Sequence, residues 1–250
     1  MSKLRWQIYL AIGLLAASAL IYGIQDILFH DTYHAMYYLL LDLAYAPIQI
    51  LVVTLLLDKL LRMREKQTMA RRLNMVIGVF FTEVGSNLLG YFGKMDPDID
   101  SLRSVILGQH EWDETSVKTV SKLLQSKTFH IQCATCELDD LRLFLLKKRK
   151  FLLNLLENQN LLEHDTFTEL LWAVFHLAEE LVHRERALDI TDTDKKHLEG
   201  DIKRAYKLLV LDWIQYMKHL KIHYPYLFSL ALRINPFDPN ARWEVPPSTL

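Results

Sequence analysis

The sequence predicts an all-α protein: an N-terminal transmembrane helical hairpin followed by an α-helical cytoplasmic bundle. Three observations carry this. Two long apolar runs, Trp6 to Ile24 and Ala35 to Leu57, contain no Lys, Arg or Glu, and each reaches the roughly 20 residues an α-helix needs to cross a hydrocarbon core of about 30 Å. After Leu57 the apolar residues recur at helical spacing instead of running continuously. Beyond Gly93 the chain is punctuated like a series of helices, with little of the alternation that marks strands.

The hairpin occupies 1–58, with spans at about 6–24 and 35–57. A cleaved signal peptide competes for the first run, because Lys3 and Arg5 precede it and Ala17-Ser18-Ala19 resembles a small-residue cleavage site. The run continues through Leu20, Ile21 and Ile24, however, and a second one follows almost at once, so an anchor is expected. Lys3 and Arg5 lie before the first run, Lys59, Arg62, Arg64, Lys66, Arg71 and Arg72 follow the second, and the loop 25–34 has neither Lys nor Arg. By the positive-inside rule the chain sits in the inner (plasma) membrane with both termini cytoplasmic.

Residues 59–93 read as a membrane-proximal rod with an apolar stripe of Leu60, Met63, Ala70, Leu73 and Ile77. Within it, 73–92 could be a third span, an interfacial helix or a cytoplasmic one; Glu83, Asn87 and the preceding Arg71-Arg72 favour the cytoplasmic reading. The helical cytoplasmic domain covers 94–234, with helices expected at Ile99–Leu107, Glu114–Ser126, Leu138–Glu157, Phe167–Arg186, Asp194–His223 and Leu227–Arg233. Thr166 and Glu169 have capping-box spacing and Asp192 is a candidate cap. Pro236, Pro239, Pro246 and Pro247 mark 235–250 as an irregular tail.

Composition narrows the function classes. At 51% hydrophobic and 24% charged, the chain is too apolar for an ordinary soluble enzyme and too charged for a polytopic transporter. A net charge of −1 argues against nucleic acid as a partner, since phosphate-binding surfaces leave a basic excess. Lipid at the anionic inner leaflet explains the basic cluster at 59–72. The two cysteines, Cys133 and Cys136, are expected to be reduced thiols, and one C-x-x-C is a weak zinc or redox signal.

His176, Glu179, Glu180 and His183 fall on one predicted helix. Glu180 and His183 have the Glu-x-x-His spacing of di-metal carboxylate bundles and His176 lies one turn earlier, so His176, Glu180 and His183 are the candidate ligands for a transition metal. A solvated helix face with Glu–His pairs is the plainer reading, because no second Glu-x-x-His occurs, and no cofactor is predicted. Asp212, Tyr216 and His219, at i, i+4 and i+7, could complete a smaller site. In the second span, Asp42 and Gln49 are candidate pore or intramembrane polar residues; the alternative is a protonated Asp42 hydrogen-bonded within the hairpin. Arg103 and His110 match a spacing seen in some helical RNA-cleaving domains, one that arises readily by chance. Lys147 to Lys150 reads as a wet helix face or a membrane-facing patch rather than a nucleic-acid footprint.

Three stretches, LLENQNLLEHDTFTELLWAVFHLAEEL, HLEGDIKRAY and YMKHLKIHYPYLFSLALRINPF, resemble uncharacterised prokaryotic membrane proteins of similar size, in which a two-helix hairpin precedes a helical domain. The resemblance implies that these segments form one domain and implies no activity. No catalytic residue is expected. The function expected is a homo-oligomeric, membrane-anchored adaptor or signalling protein meeting a cytoplasmic protein partner. The alternatives are a small homo-oligomeric ion channel lined by the second span and a membrane-tethered metal-dependent enzyme using the His176 group.

Overall fold

The computed structural model describes residues 12–13, 16–24, 27, 32–109, 111–158, 161, 165–184 and 191–244, with side chains placed for all of these except 32–35, 66–67, 70–72 and 135–136. The start of the predicted first span, most of its connecting loop, His110, the Cys136 side chain and the end of the tail lie outside them. Every regular element among the described residues is helical. Two compact units divide the chain, Met1–Lys66 and Gln67–Leu250.

In the first unit, residues 16–24 are helical and α1 begins at Thr32, running to Phe80 across the boundary between the units. From Met36 to Met63 its large apolar side chains are exposed, Leu39 by 47% and Ile50 by 66%, for example. The stretch Met36–Glu65 is long and apolar enough to cross a membrane, and its apolar window has no buried residue. Tyr22 donates a hydrogen bond of 2.9 Å to Asp42, linking the two apolar helices through the one acidic residue of the second run. Pro47, inside α1, removes an amide donor one turn beyond Leu43.

The second unit is a helical bundle. Its elements are a π-helical turn Phe81–Gly85, α2 Ser86–Lys94, α3 Ile99–Leu107, α4 Glu114–Ser126, α5 Thr135–Leu156, α6 Asp165–Val182, α7 Asp192–His223 and α8 Pro225–Arg233. The long α7 is the hub, packed against α2, α4, α6 and α8, while α5 packs on α6. Its buried positions, including Ile202, Tyr206, Leu209, Trp213 and Met217, follow helical spacing along the core side. Tyr206 meets Phe129 and Phe92 edge-on, and Trp213 meets Trp112 and Phe237 in the same way.

The segment Leu73–Lys94, whose composition also suits a membrane span, supplies core residues here: Leu73, Ile77, Phe80, Phe81, Val84, Leu88, Leu89 and Phe92 are all buried in this unit. The apolar stripe expected along the rod therefore divides. Leu60 and Met63 are more than half exposed, whereas Leu73 and Ile77 are covered by the bundle.

Local chemistry explains several helix ends. Asp113 caps α4 by accepting from the Ser116 amide, and Pro225 opens α8, where a missing N–H costs nothing. Glu137 accepts from the Ala134 amide at the start of α5. Two caps differ from expectation. Thr191 caps α7 by accepting from the Asp194 amide, which puts Asp192 inside the first turn, and α6 starts at Asp165, which puts Thr166 inside the helix. The segment after α8 is irregular yet anchored, with Phe237 in the core and the Arg242 amide bonded to the Arg233 carbonyl.

Candidate functional site

Among the described residues, the α6–α7 seam holds a group of ligand-type side chains close enough to share an ion. On α6, Leu170, Val174, Leu177 and Leu181 face the core, which turns His176, Glu179, Glu180 and His183 toward the outer side of the helix. On α7 the same logic buries Leu198 and Ile202 and leaves His197, one turn before Asp201, at the edge facing α6.

Packing of the two helices brings His176, Glu180 and His197 together, their ligand atoms all lying within 4.8 Å of one another. Asp201 forms the floor. It is only 3% exposed, and its Oδ2 lies 3.4 Å from His176 Nε2 and 3.3 Å from His197 Nε2. His197 Nε2 is 3.9 Å from Glu180 Oε2. Arginines engage both carboxylates: Arg204 donates to Asp201 Oδ1 at 3.0 Å, and Arg184 donates at 2.6 Å to Glu180 Oε2, the oxygen that faces His197, and at 2.9 Å to Asp194 Oδ1. The Arg184 hydrogen bond holds the Glu180 carboxyl below its ordinary range, against the opposing effect of partial burial.

His183 is not in this group. Its Nδ1 lies 2.8 Å from the Glu179 carbonyl at the end of α6. The Glu179 carboxylate is engaged by Arg149 at 2.6 and 3.3 Å, which keeps its carboxyl low. Asp212, Tyr216 and His219 also stand apart, since they lie eleven or more residues beyond Asp201, at least about 16 Å along the helix axis. His197 and Asp201, which sequence reading did not single out, repeat on α7 the i, i+4 histidine–carboxylate spacing of His176 and Glu180.

The other candidates are occupied in simpler ways. Cys133 is buried, its sulfur 3.8 Å from that of Met95, and burial pushes the thiol up to about 12. A thiol held in that form is a poor ligand or nucleophile. Lys148 pairs with Glu83 at 2.7 Å and Arg149 with Glu179, so the middle of the basic run on α5 is tied to neighbouring helices. Arg103 pairs with Asp100 within α3. Asp42 accepts from Tyr22, while Gln49 is exposed.

A cleft of about 1230 Å³ opens elsewhere in the second unit, lined by Thr82, Asn87 and Tyr91 on one side and Tyr216, His219 and Leu227 on the other. The π-turn shapes its wall. Phe81 stacks on Tyr216 with ring centroids 4.9 Å apart, and Thr82 donates back to the Gly78 carbonyl at 2.9 Å.

Comparison with known proteins covers nearly the whole chain. A family model described as the C-terminal helical domain of uncharacterized protein MJ1433 matches residues 69–233, and one described as the N-terminal helical domain of MJ1433 matches residues 2–61. The uncharacterized protein MJ1433 of Methanocaldococcus jannaschii is 42% identical over 238 residues, spanning 95% of this chain and 96% of that protein. No solved structure matches.

Proposed function

The chain belongs to the MJ1433 family of paired N-terminal and C-terminal helical domains, and on that premise we propose that it is a homo-oligomeric integral membrane protein whose hairpin anchors a helical cytoplasmic domain acting as an adaptor or signalling module. The observation that carries this reading is the uncovered stretch Met36–Glu65. Burying a single Leu or Ile side chain is worth about 1.5–3 kcal/mol, so a series of them left open from Met36 to Met63 needs an apolar environment that the described residues do not provide. Lipid is the environment matched by its length and by the basic residues that follow it. The Tyr22–Asp42 hydrogen bond supports a structural role for Asp42 inside the hairpin over a role in an ion path.

For the adaptor role, the cleft beside the π-turn is the surface offered to a partner's apolar segment, with Thr82, Asn87 and His219 available for orientation. A second reading, a membrane-tethered metal-dependent enzyme, is favoured by one specific observation, the convergence of His176, Glu180, His197 and Asp201.

Anchoring is tested in native membranes by alkaline carbonate extraction combined with cysteine accessibility. The protein is expected to stay in the pellet, with a cysteine at Thr32 labelled by an impermeant maleimide from outside and cysteines at Lys66 and Ser248 protected until the membrane is opened. Release by carbonate removes the anchor, and outside labelling at Ser248 reverses the orientation. A photo-cross-linker at Asn87 tests the cleft: a defined adduct that a control at exposed Trp172 does not give is the expected result, and equal labelling at both positions rejects it.

A further inference from the structure

We propose that His176 and Glu180 of α6, with His197 and Asp201 of α7, bind one divalent transition-metal ion of the zinc class. All four lie in the unit Gln67–Leu250, so the site does not depend on the membrane reading.

The inference starts from crowding of electron-rich atoms. Asp201 Oδ2 has His176 Nε2 at 3.4 Å and His197 Nε2 at 3.3 Å, and Glu180 Oε2 stands 3.9 Å from His197 Nε2. An imidazole lone pair pointed at a carboxylate oxygen repels it, so each of these contacts calls for either a ring N–H or a metal cation between the two atoms.

Two independent observations favour the metal. Asp201 is 97% buried, its Oδ1 is taken by Arg204, and its Oδ2 makes no hydrogen bond although it is aimed into the group. Buried carboxylate oxygens are expected to have a partner. The spacing is the second. With Zn–N and Zn–O bonds of about 2.0–2.1 Å, the edge of a tetrahedron is about 3.3–3.4 Å, and both Asp201–histidine separations fall on that value.

The scaffold suits the task as well. Each helix presents its two ligands one turn apart, so the closure of the site needs only the α6–α7 packing already present. Arg204 orients Asp201 from outside through Oδ1, while Arg184 holds the Glu180 oxygen that faces His197. Imidazole nitrogens select zinc, iron, nickel or copper over magnesium and calcium. Glu180, the most distant ligand and the one bound to Arg184, is the adjustable member; when it stays with Arg184, the fourth position is open to water, since His176 and His197 are 46% and 53% exposed. Three protein ligands and an open position are what a catalytic zinc needs.

The test uses the full chain in detergent with a histidine-free affinity tag, stripped by chelator and then titrated with Zn2+ alone against a chromophoric competitor. One zinc per chain is expected after desalting, together with a higher melting temperature. His197→Ala and Asp201→Asn are expected to weaken binding at least tenfold and to lose the thermal shift, while His183→Ala, outside the group, retains both. Since His197 is exposed, its variant decides the matter if Asp201→Asn fails to fold. Substitution by Co2+ adds a spectroscopic check, an intense visible band from tetrahedral coordination that disappears in His197→Ala. Wild-type protein that holds no zinc, or zinc that persists unchanged in His197→Ala, overturns the proposal and leaves protons as the charge among these atoms.

Discussion

Asp212 offers the sharpest test of how the bundle handles a polar group in its interior. It projects from α7, its Oδ2 is buried without a hydrogen bond, and burial, with a smaller contribution from the nearby Glu169 carboxylate, pushes its carboxyl from 3.8 up to about 7. At about 1.4 kcal/mol per pH unit, that gap makes the ionised side chain at most about 4 kcal/mol less favourable in the folded protein than in the unfolded chain. The direction follows from proton counting. Between pH 3.8 and about 7 the folded state keeps a proton that the unfolded state has lost, so this contribution to stability falls as pH rises and levels off above about 7. Asp212→Asn, which keeps the shape and removes the charge, is therefore expected to stabilise the protein by about 2–4 kcal/mol at pH 8, or roughly 5–15 °C for a unit of this size. At pH 4 the advantage should shrink below about 1 kcal/mol, since that pH lies only just above 3.8, where the unfolded carboxyl has begun to lose its proton and little of the difference between the two states has developed. Thermal melts of wild type and variant in the same detergent, followed by tryptophan fluorescence, measure the difference at each pH; Trp213, adjacent in sequence and buried, reports on the same core. A variant less stable than wild type at pH 8, or one with equal advantage at both pH values, refutes the reasoning.

Gly85→Ala tests the π-turn. A Cβ there would lie 2.6 Å from Cδ1 of Phe81, a buried ring stacked on Tyr216, so about 1–3 kcal/mol of overpacking is expected in the same melts, and an unchanged melting temperature would show that the ring can move aside. Met63→Glu tests assembly: among the described side chains of the rod stripe, Leu73 and Ile77 are covered by the bundle while Leu60 and Met63 stay open to another copy. Light scattering should show the detergent complex shrinking toward the 29.3 kDa protomer; an unchanged mass, or a monomeric wild type, rejects assembly through the rod.

Local signals made the helical part of this chain readable before any packing was known. The helices Ile99–Leu107 and Glu114–Ser126 have the boundaries their sequence implies, and in the second the start is set by Asp113 bonding an amide three residues on, an interaction that needs no distant partner. Thr191 took the cap expected of Asp192 because both are capable acceptors within one residue and only the backbone conformation chooses between them. Composition could not place Leu73–Lys94: a helix apolar enough for lipid is also apolar enough for a protein core, and what decided its surroundings was the arrival of α5 and α7. The ligand-type group shows the same division. His176 and Glu180 sit one turn apart on one helix, so their adjacency is a property of the α-helix itself. His197 and Asp201 carry the matching spacing, but polar pairs at i, i+4 occur on most helix faces, and nothing local says that two such pairs will face each other. His183 has the better motif and the wrong direction, since at the end of α6 its ring turns to the Glu179 carbonyl. Which histidines share a carboxylate was decided by the rotation of α6 against α7, and that rotation is set by where Leu177, Leu181, Leu198 and Ile202 bury their side chains.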